Sequence, residues 1–300
     1  MEITTNKGVV RLPAYLPVTT WGNEYPLDSL IRPFMPRFAD MLMVSYHYAQ
    51  EMDAETELPV FIDSGGFALL LEGAELVERE DGLANIRRSV EGDVDVITPE
   101  KVLELQHQKA QWGSTLDFPI PPSLDDPVER ERRLHWTLMN AQWAIQHSEG
   151  TSLRLFGSVQ GWDEESYVEC AQRLLAMGFK DLAMGGFVPR ASRREFLLQV
   201  TRRIRSLMAS DAVLHAFGMG EPEMVRSLYA AGVSSVDSSS FVRAAASGKR
   251  WDGGWSVDQP SGLERAHLAI GNFNYATLEV GAGHANGICI PSKTEELVDF

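Results

Sequence analysis

The chain is poor in cysteine, short of positive charge and without a long apolar run. It has two cysteines in 300 residues, Cys170 and Cys289. Two thiols cannot build a disulfide framework, nor by themselves a structural zinc site, and they fit a reducing, cytoplasmic compartment. No stretch approaches the ~20 apolar residues that a membrane helix needs, so no membrane partner is expected. The opening residues Met1 to Lys7 hold no basic segment followed by an apolar one, so no secretory signal is expected. Lys and Arg number 27 against 42 Asp and Glu, a formal net charge of −15. That balance excludes the broad basic surface that holds nucleic acid non-specifically, while leaving room for a small local basic patch.

What is present is ordinary for a globular protein: 44% hydrophobic and 23% charged residues. A chain this long buries roughly 75% of its unfolded surface on folding. It reads as one domain over residues 1–300 with an irregular tail from about 251. Short apolar runs recur at Met41–Tyr46, Val60–Ile62, Thr115–Leu116, Leu153–Val159, Asp181–Met184, Ala212–Phe217 and Ser234–Val236. Helix-length segments alternate with them. Thr98-Pro99-Glu100 opens one helix, with Thr98 as N-cap and Pro99 at the first helical position. Others run from about Glu129 to Gln146, from Glu164 to Met177, from just after Ser192, and from Glu221 to Gly232. Strands alternating with helices predict βα units around a parallel sheet, an α/β fold. Seven strands are visible; an eighth is expected near the N-terminus or in Tyr275–Val280.

The residues that follow these strands are the ones with chemistry. Val60–Ile62 leads into Asp63-Ser64-Gly65-Gly66-Phe67, Thr115–Leu116 into Asp117, and the run ending at Val159 into Gln160-Gly161. Met184 is followed by Gly185-Gly186, Phe217 by Gly218-Met219-Gly220, and Val236 by Asp237. Both α/β barrels and doubly wound sheets place ligands at the C-terminal ends of their strands. Taken singly, each residue has an ordinary reading. An Asp after a strand serves as a turn residue or helix cap, paired glycines make tight turns, and Gly218-x-Gly220 is only a fragment of a phosphate loop. His215, in an apolar strand, reads as a satisfied core residue. His284 lacks partners at metal spacing, and Trp112, Trp136 and Trp143 read as core.

The ordered set is more specific than its parts. Leu12–Thr19, Asp63-Ser-Gly-Gly-Phe67, Ile97-Thr-Pro-Glu-Lys101 with Gln106, Leu116-Asp117, Phe156-Gly-Ser-Val-Gln-Gly161, Gly185-Gly186, Gly218-Met-Gly-Glu-Pro-Glu223 and Val236-Asp237 follow one another along the chain. In that order and spacing the sequence resembles the tRNA-guanine transglycosylase family from about Leu12 to Lys249. The resemblance implies a (β/α)8 TIM barrel and a base exchange in which guanine is replaced by a 7-deazaguanine. It implies that Asp237 attacks C1′ to form a covalent glycosyl intermediate and that Asp63 serves as general acid and base. Asp117 and Gln160, with Ser64, Gly185 and the Gly186 N–H, would read the base edge. Phe67 and either Phe217 or Met219 would stack on its faces. The chemistry is consistent with the residue types: a carboxylate nucleophile stabilises positive charge at C1′, and the departing purine needs a proton from a second carboxylic acid.

Three departures from the family pattern shape the expectation. The thiol cluster of the family's zinc site is absent, so neither metal nor cofactor is expected. The signature ends in Ala68 where the family has Gln. The stretch after Asp237 reads Val242-Arg-Ala-Ala-Ala246, keeping Arg243 and replacing a second arginine by Ala246. These features resemble the zinc-less transglycosylases that act on DNA, so DNA is favoured over tRNA as the guanine-containing polynucleotide, with 7-cyano-7-deazaguanine as a candidate incoming base. A helper protein or homodimer is a further possible partner. Arg190, Arg193, Arg194, Arg243, Lys249 and Arg250 form the candidate patch for phosphates. The competing readings are a transglycosylase acting on tRNA, a glycoside or nucleoside hydrolase on the same barrel, and a non-catalytic partner subunit. The last is disfavoured by the retention of Asp63, Asp117 and Asp237.

Overall fold

The computed structural model describes residues 1–21, 28–52, 56–90 and 93–278. A hairpin of β1 (Glu2–Thr5) and β2 (Gly8–Arg11) comes first. It is followed by β3 (Ala14–Thr19), a one-turn α1 (Asp28–Ile31), β4 (Leu42–Val44), a one-turn α2 (Tyr46–Ala49) and β5 (Val60–Ile62). A three-stranded antiparallel sheet of β6 (Ala74–Glu78), β7 (Ala84–Val90) and β8 (Asp93–Ile97) then interrupts the βα alternation. The chain continues through α3 (Pro99–Lys109), β9 (Trp112–Ser114), α4 (Pro127–His147), β10 (Arg154–Val159), α5 (Glu164–Ala176), β11 (Asp181–Met184) and α6 (Arg194–Leu207). It ends with β12 (Leu214–Ala216), α7 (Pro222–Ala230), β13 (Ser235–Ser238), α8 (Ser240–Ala246) and α9 (Gly262–Leu278).

Eight strands close a barrel in the order β3-β4-β5-β9-β10-β11-β12-β13, with β13 returning to β3. Every pairing in it is parallel. This is the (β/α)8 arrangement that the sequence resemblance implies. The eighth strand is β3, near the N-terminus; the described part of the other candidate, Tyr275 to Leu278, is the end of α9. Strand β9 lies just ahead of the expected Thr115–Leu116, and the Thr115 N–H still bonds the Phe156 carbonyl at 3.1 Å.

Side chains along a strand alternate between faces, and in a closed barrel one face is the lumen. Leu16, Phe61, Trp112, Phe156, Ala183 and Val213 fill that lumen. Their neighbours Leu182, Met184, Leu214, Ala216 and Val236 point outward into the core shared with the helices, and Val60 and Ile62 do so beneath the β6–β8 sheet. Val10 of the leading hairpin joins the lumen cluster at the N-terminal end of the strands. The hairpin therefore closes that end, and the opposite rim is left to carry a site.

The helix signals read from the sequence act as expected. Thr98 Oγ1 accepts from the Lys101 N–H at 3.2 Å, with Pro99 in the first turn. Two elements differ from the reading. The β6–β8 sheet was not anticipated, and the segment expected to be an irregular tail contains α9. Gly262, Gly271, Asn272 and Asn274 weaken the helical signal of that segment. Its stability comes from burying Ala266, Ala269, Ile270, Phe273 and Ala276, a helical spacing. Asn272 ties α9 to the end of α8 by donating to the Lys249 carbonyl at 3.0 Å and accepting from the Trp251 N–H at 2.9 Å.

Phe61 sits at the centre of the lumen, with ring centroids 4.9 Å from Phe156, 5.0 Å from His215 and 5.9 Å from both Trp112 and Phe217. Truncation there leaves a cavity that flanking strands cannot close. Phe61→Ala is expected to lower unfolding free energy by about 3–5 kcal/mol in urea titration; a loss below about 1 kcal/mol would contradict this packing.

Candidate active site

At the C-terminal rim, residues following or ending six different strands line one cavity of about 220 Å³. They are Asp63 and Ser64 after β5, Asp117 beyond β9, Gln160 after β10, Gly185 and Gly186 after β11, Phe217 and Gly218 after β12, and Asp237 within β13. The three carboxylates, far apart in the chain, meet here as expected.

Asp117 and Gln160 form a closed polar pair. Ser64 Oγ donates to Asp117 Oδ1, and Gln160 Nε2 donates to Asp117 Oδ2 at 2.5 Å. Each Asp117 oxygen thus has one protein donor and retains capacity for a second. Burial pushes the Asp117 carboxyl up, while the Ser64 and Gln160 donors pull it back down. Gln160 Oε1 is buried without a hydrogen-bond partner. Glycine lets backbone close on this pair. A Cβ at Gly66 would collide with Asp117, and one at Gly185 with the Gln160 amide.

Asp63 is held differently. Its Oδ1 accepts from the Tyr46 N–H at 2.7 Å and the Gly65 N–H at 3.0 Å. Loss of hydration raises its pKa from 3.8 to about 7 against those two bonds, and the Asp237 and Asp117 carboxylates add to the rise. Near neutrality Asp63 therefore divides between proton donor and acceptor forms, which is what a general acid/base requires. Gln106 secures its backbone by donating to the carbonyls of Asp63 and Ile62, both at 3.2 Å, and to that of Ser114 at 2.9 Å.

Asp237 is 7% exposed. Its Oδ1 takes two donors, His215 Nε2 and the Gly218 N–H, each at 3.0 Å. His215 was read as core, and it is fully buried, but its partner is this carboxylate. Strand periodicity is the signal that could have found it. His215 pairs with Ser235 across β12 and β13, and both face the lumen directly beneath Asp237.

Other candidates separate. Phe217 lines the cavity, whereas Met219 is buried in the core against the helices, so Phe217 is the stacking candidate on that side. Phe67 stands at the mouth, 64% exposed. Arg190 leaves the phosphate patch. It is 1% exposed, and its guanidinium donates to the carbonyls of Gly186 and Ile120 at 2.8 Å and of Gly161 at 3.2 Å. It clamps together the three loops that follow Asp117, Gln160 and Gly185. Tyr167 donates to the Gly185 carbonyl at 2.9 Å beside it. Arg193, Arg194, Arg243, Lys249 and Arg250 are exposed. Of these, Arg194 bonds Glu223 and Ser227, and Arg250 pairs with Asp252. Cys170 is buried, with its thiol pushed up to about 12 by burial, an inert state. No group of three metal-ligating side chains occurs among the described residues; His284 and Cys289 lie outside them.

A family model described as queuine tRNA-ribosyltransferase matches residues 1–261, which include every residue of this site. A DNA-guanine transglycosylase of Salmonella montevideo is 33% identical over 165 residues, covering 52% of this chain and 39% of that relative. A queuine tRNA-ribosyltransferase of Psychrobacter sp. (strain PRwf-1) is 26% identical over 273 residues, 82% of this chain and 68% of the relative. One of Caulobacter vibrioides is 25% identical over 287 residues, 89% and 74%. The chain thus spans about two fifths of the first relative's length and about two thirds or more of the other two.

Folded Asp63 keeps its proton up to about pH 7, while the unfolded chain releases it near 3.8. Between these values the folded state binds more protons, so this group lowers stability as pH rises through the window. Asp63→Asn removes the burden and can still accept the Tyr46 and Gly65 bonds. Its unfolding free energy relative to wild type should improve by roughly 1–4 kcal/mol between pH 4 and pH 8. A difference that does not vary with pH would refute the raised pKa.

Proposed function

Because the chain belongs to the queuine tRNA-ribosyltransferase family, we propose that it is a guanine transglycosylase that exchanges guanine in a polynucleotide for a 7-deazaguanine such as 7-cyano-7-deazaguanine, with DNA as its polynucleotide. The observation that carries the reading is one cavity holding a base-reading Asp117–Gln160 pair between a carboxyl with pKa about 7, Asp63, and a hydrogen-bonded carboxylate, Asp237.

Guanine offers N1–H and an exocyclic amine to acceptors. The remaining lone pairs of Asp117 and the unpartnered Gln160 Oε1 are such acceptors, buried where an unmet polar group costs about 1–3 kcal/mol. Phe217 forms one apolar wall, and Phe67 stands where it can close over the other face. Asp237 Oδ2 attacks C1′, the C1′–N9 bond breaks, and its electron pair leaves with the purine, which takes the Asp63 proton at N9. In the second half the incoming base returns a proton to Asp63 and bonds C1′ through N9. The C1′–Oδ2 bond breaks and its pair returns to Asp237. In duplex DNA the guanine must first leave the stack, because base and C1′ are otherwise shielded.

Two features favour DNA over tRNA: the similarity to a DNA-guanine transglycosylase and Ala246 in place of a second arginine after the nucleophile. Of the six candidate cations, Arg190 is buried and Arg194 and Arg250 pair with acidic neighbours, which fits sharing of the polynucleotide with a helper protein or a second copy. No helix among the described residues is long and apolar enough to cross a membrane, and the sparing use of cysteine fits the cytoplasm.

The test is incorporation of labelled guanine into DNA and tRNA in parallel, followed by its displacement with 7-cyano-7-deazaguanine. Label should enter DNA, be displaced, and remain at background with Asp237→Ala. Label in tRNA alone would transfer the reading to tRNA, and free guanine without incorporation would make the protein a hydrolase. Reversing Arg193 to Glu should weaken DNA binding and reduce the salt slope by about 1; unchanged affinity at low salt would remove it from the interface.

A further inference from the structure

A buried histidine is ordinarily satisfied by backbone or water. His215 instead places both ring nitrogens on side chains of the neighbouring strand. Nδ1 lies 2.8 Å from Ser235 Oγ, and Nε2 lies 3.0 Å from Asp237 Oδ1. The ring is wedged in the lumen between Phe61 and Phe217, centroids 5.0 and 4.8 Å away. An ionised carboxylate only accepts, so Nε2 carries the hydrogen that faces Asp237. In the neutral ring Nδ1 is then an acceptor, and only the Ser235 hydroxyl is placed to donate to it. The hydrogen bonds run in one direction, from hydroxyl to imidazole to carboxylate.

The second donor to Asp237, the Gly218 N–H, meets the same oxygen, Oδ1. No described residue donates to Oδ2, and Asp237 borders the cavity. The carboxylate is therefore held by one oxygen and presents the other.

We propose that His215 is a positioning residue for base exchange, with Ser235 holding its ring through Nδ1, and that its main effect falls on the second half of the reaction. The proposal rests on Asp237 being the nucleophile. In the covalent intermediate Oδ2 is bonded to C1′ and Oδ1 is the ester carbonyl. When the incoming base attacks C1′, the C1′–Oδ2 bond breaks and its electron pair returns to the carboxylate. The restored charge is shared with Oδ1, where the His215 and Gly218 N–H groups already point. Donors fixed where charge develops lower that barrier without reorganisation. In the first half the same donors orient the attack but also stabilise the reactant carboxylate, so their net effect there is smaller.

The test compares wild type, His215→Phe, His215→Gln, Ser235→Ala and Asp237→Ala in the full chain. Labelled guanine exchange is measured on both DNA and tRNA, and the covalent protein–polynucleotide adduct is trapped by denaturant during turnover. Phe keeps the ring packing without the donor, and the Gln amide reaches the Nε2 position. His215→Phe should lower kcat by about 10–100-fold, the value of one hydrogen bond to a charged group, and lower the polynucleotide KM with it, because kcat/KM for the polynucleotide reports only the first half of the exchange. Its trapped adduct fraction should rise above wild type. His215→Gln should recover most of the loss, and Ser235→Ala should fall between. Wild-type kcat and adduct fraction in His215→Phe, with Asp237→Ala inactive, would overturn the role of His215 alone. So would equal losses in the Phe and Gln variants that follow a fall in Tm with no change in adduct fraction. Exchange by Asp237→Ala, or none by wild type on either polynucleotide, would overturn the proposed function and this inference with it.

Discussion

Three carboxyl groups brought to one rim, away from water, repel one another and lose hydration, and the site is organised around that conflict. Each group resolves it differently. Asp63 takes up a proton, with its pKa raised to about 7. Asp117 keeps a hydroxyl and an amide on its two oxygens. Asp237 keeps a ring N–H and a backbone N–H on one oxygen. Identical side chains are thereby held in distinct environments, which suit the separate roles proposed for them: proton transfer, recognition of a base edge, and attack through a free oxygen.

The barrel makes this division possible because its rim is stiff. Alternation along each strand puts every second residue into the lumen, and the hairpin seals the far end. Gln106 fastens the backbone of Asp63 to that of Ser114. Arg190, buried without a carboxylate partner among its bonds, joins the three loops that follow Asp117, Gln160 and Gly185. A guanidinium suits this position because its planar fork directs several donors at once into separate loops. Loops tied in this way hold a flat pocket open without relying on the ligand for order.

The net negative charge fits the proposed polynucleotide being met at a few points rather than along a broad basic face. With Arg190 committed to the interior and Arg194 and Arg250 engaged with acidic neighbours, the candidate patch reduces to Arg193, Arg243 and Lys249. In the proposed exchange, recognition then falls mainly on the cavity. There a planar base can bury apolar faces against Phe217 and Phe67, and meet acceptors that are otherwise unpaired.

The sequence by itself determined the α/β alternation, the N-cap of α3, the start of α7, the strand-end positions of Asp63, Asp117, Gln160 and Asp237, and the family. These are local: caps, periodicities and short motifs are written in contiguous residues. It did not reveal α9, whose glycines and asparagines hide a helix that exists only when packed. Nor did it separate Arg190 from its exposed neighbours, or His215 from an ordinary core histidine. Those assignments depend on which strands become neighbours and which loops converge. Pairing of β12 with β13 in register sets His215 opposite Ser235, so that a histidine 22 residues before Asp237 becomes its hydrogen-bond donor.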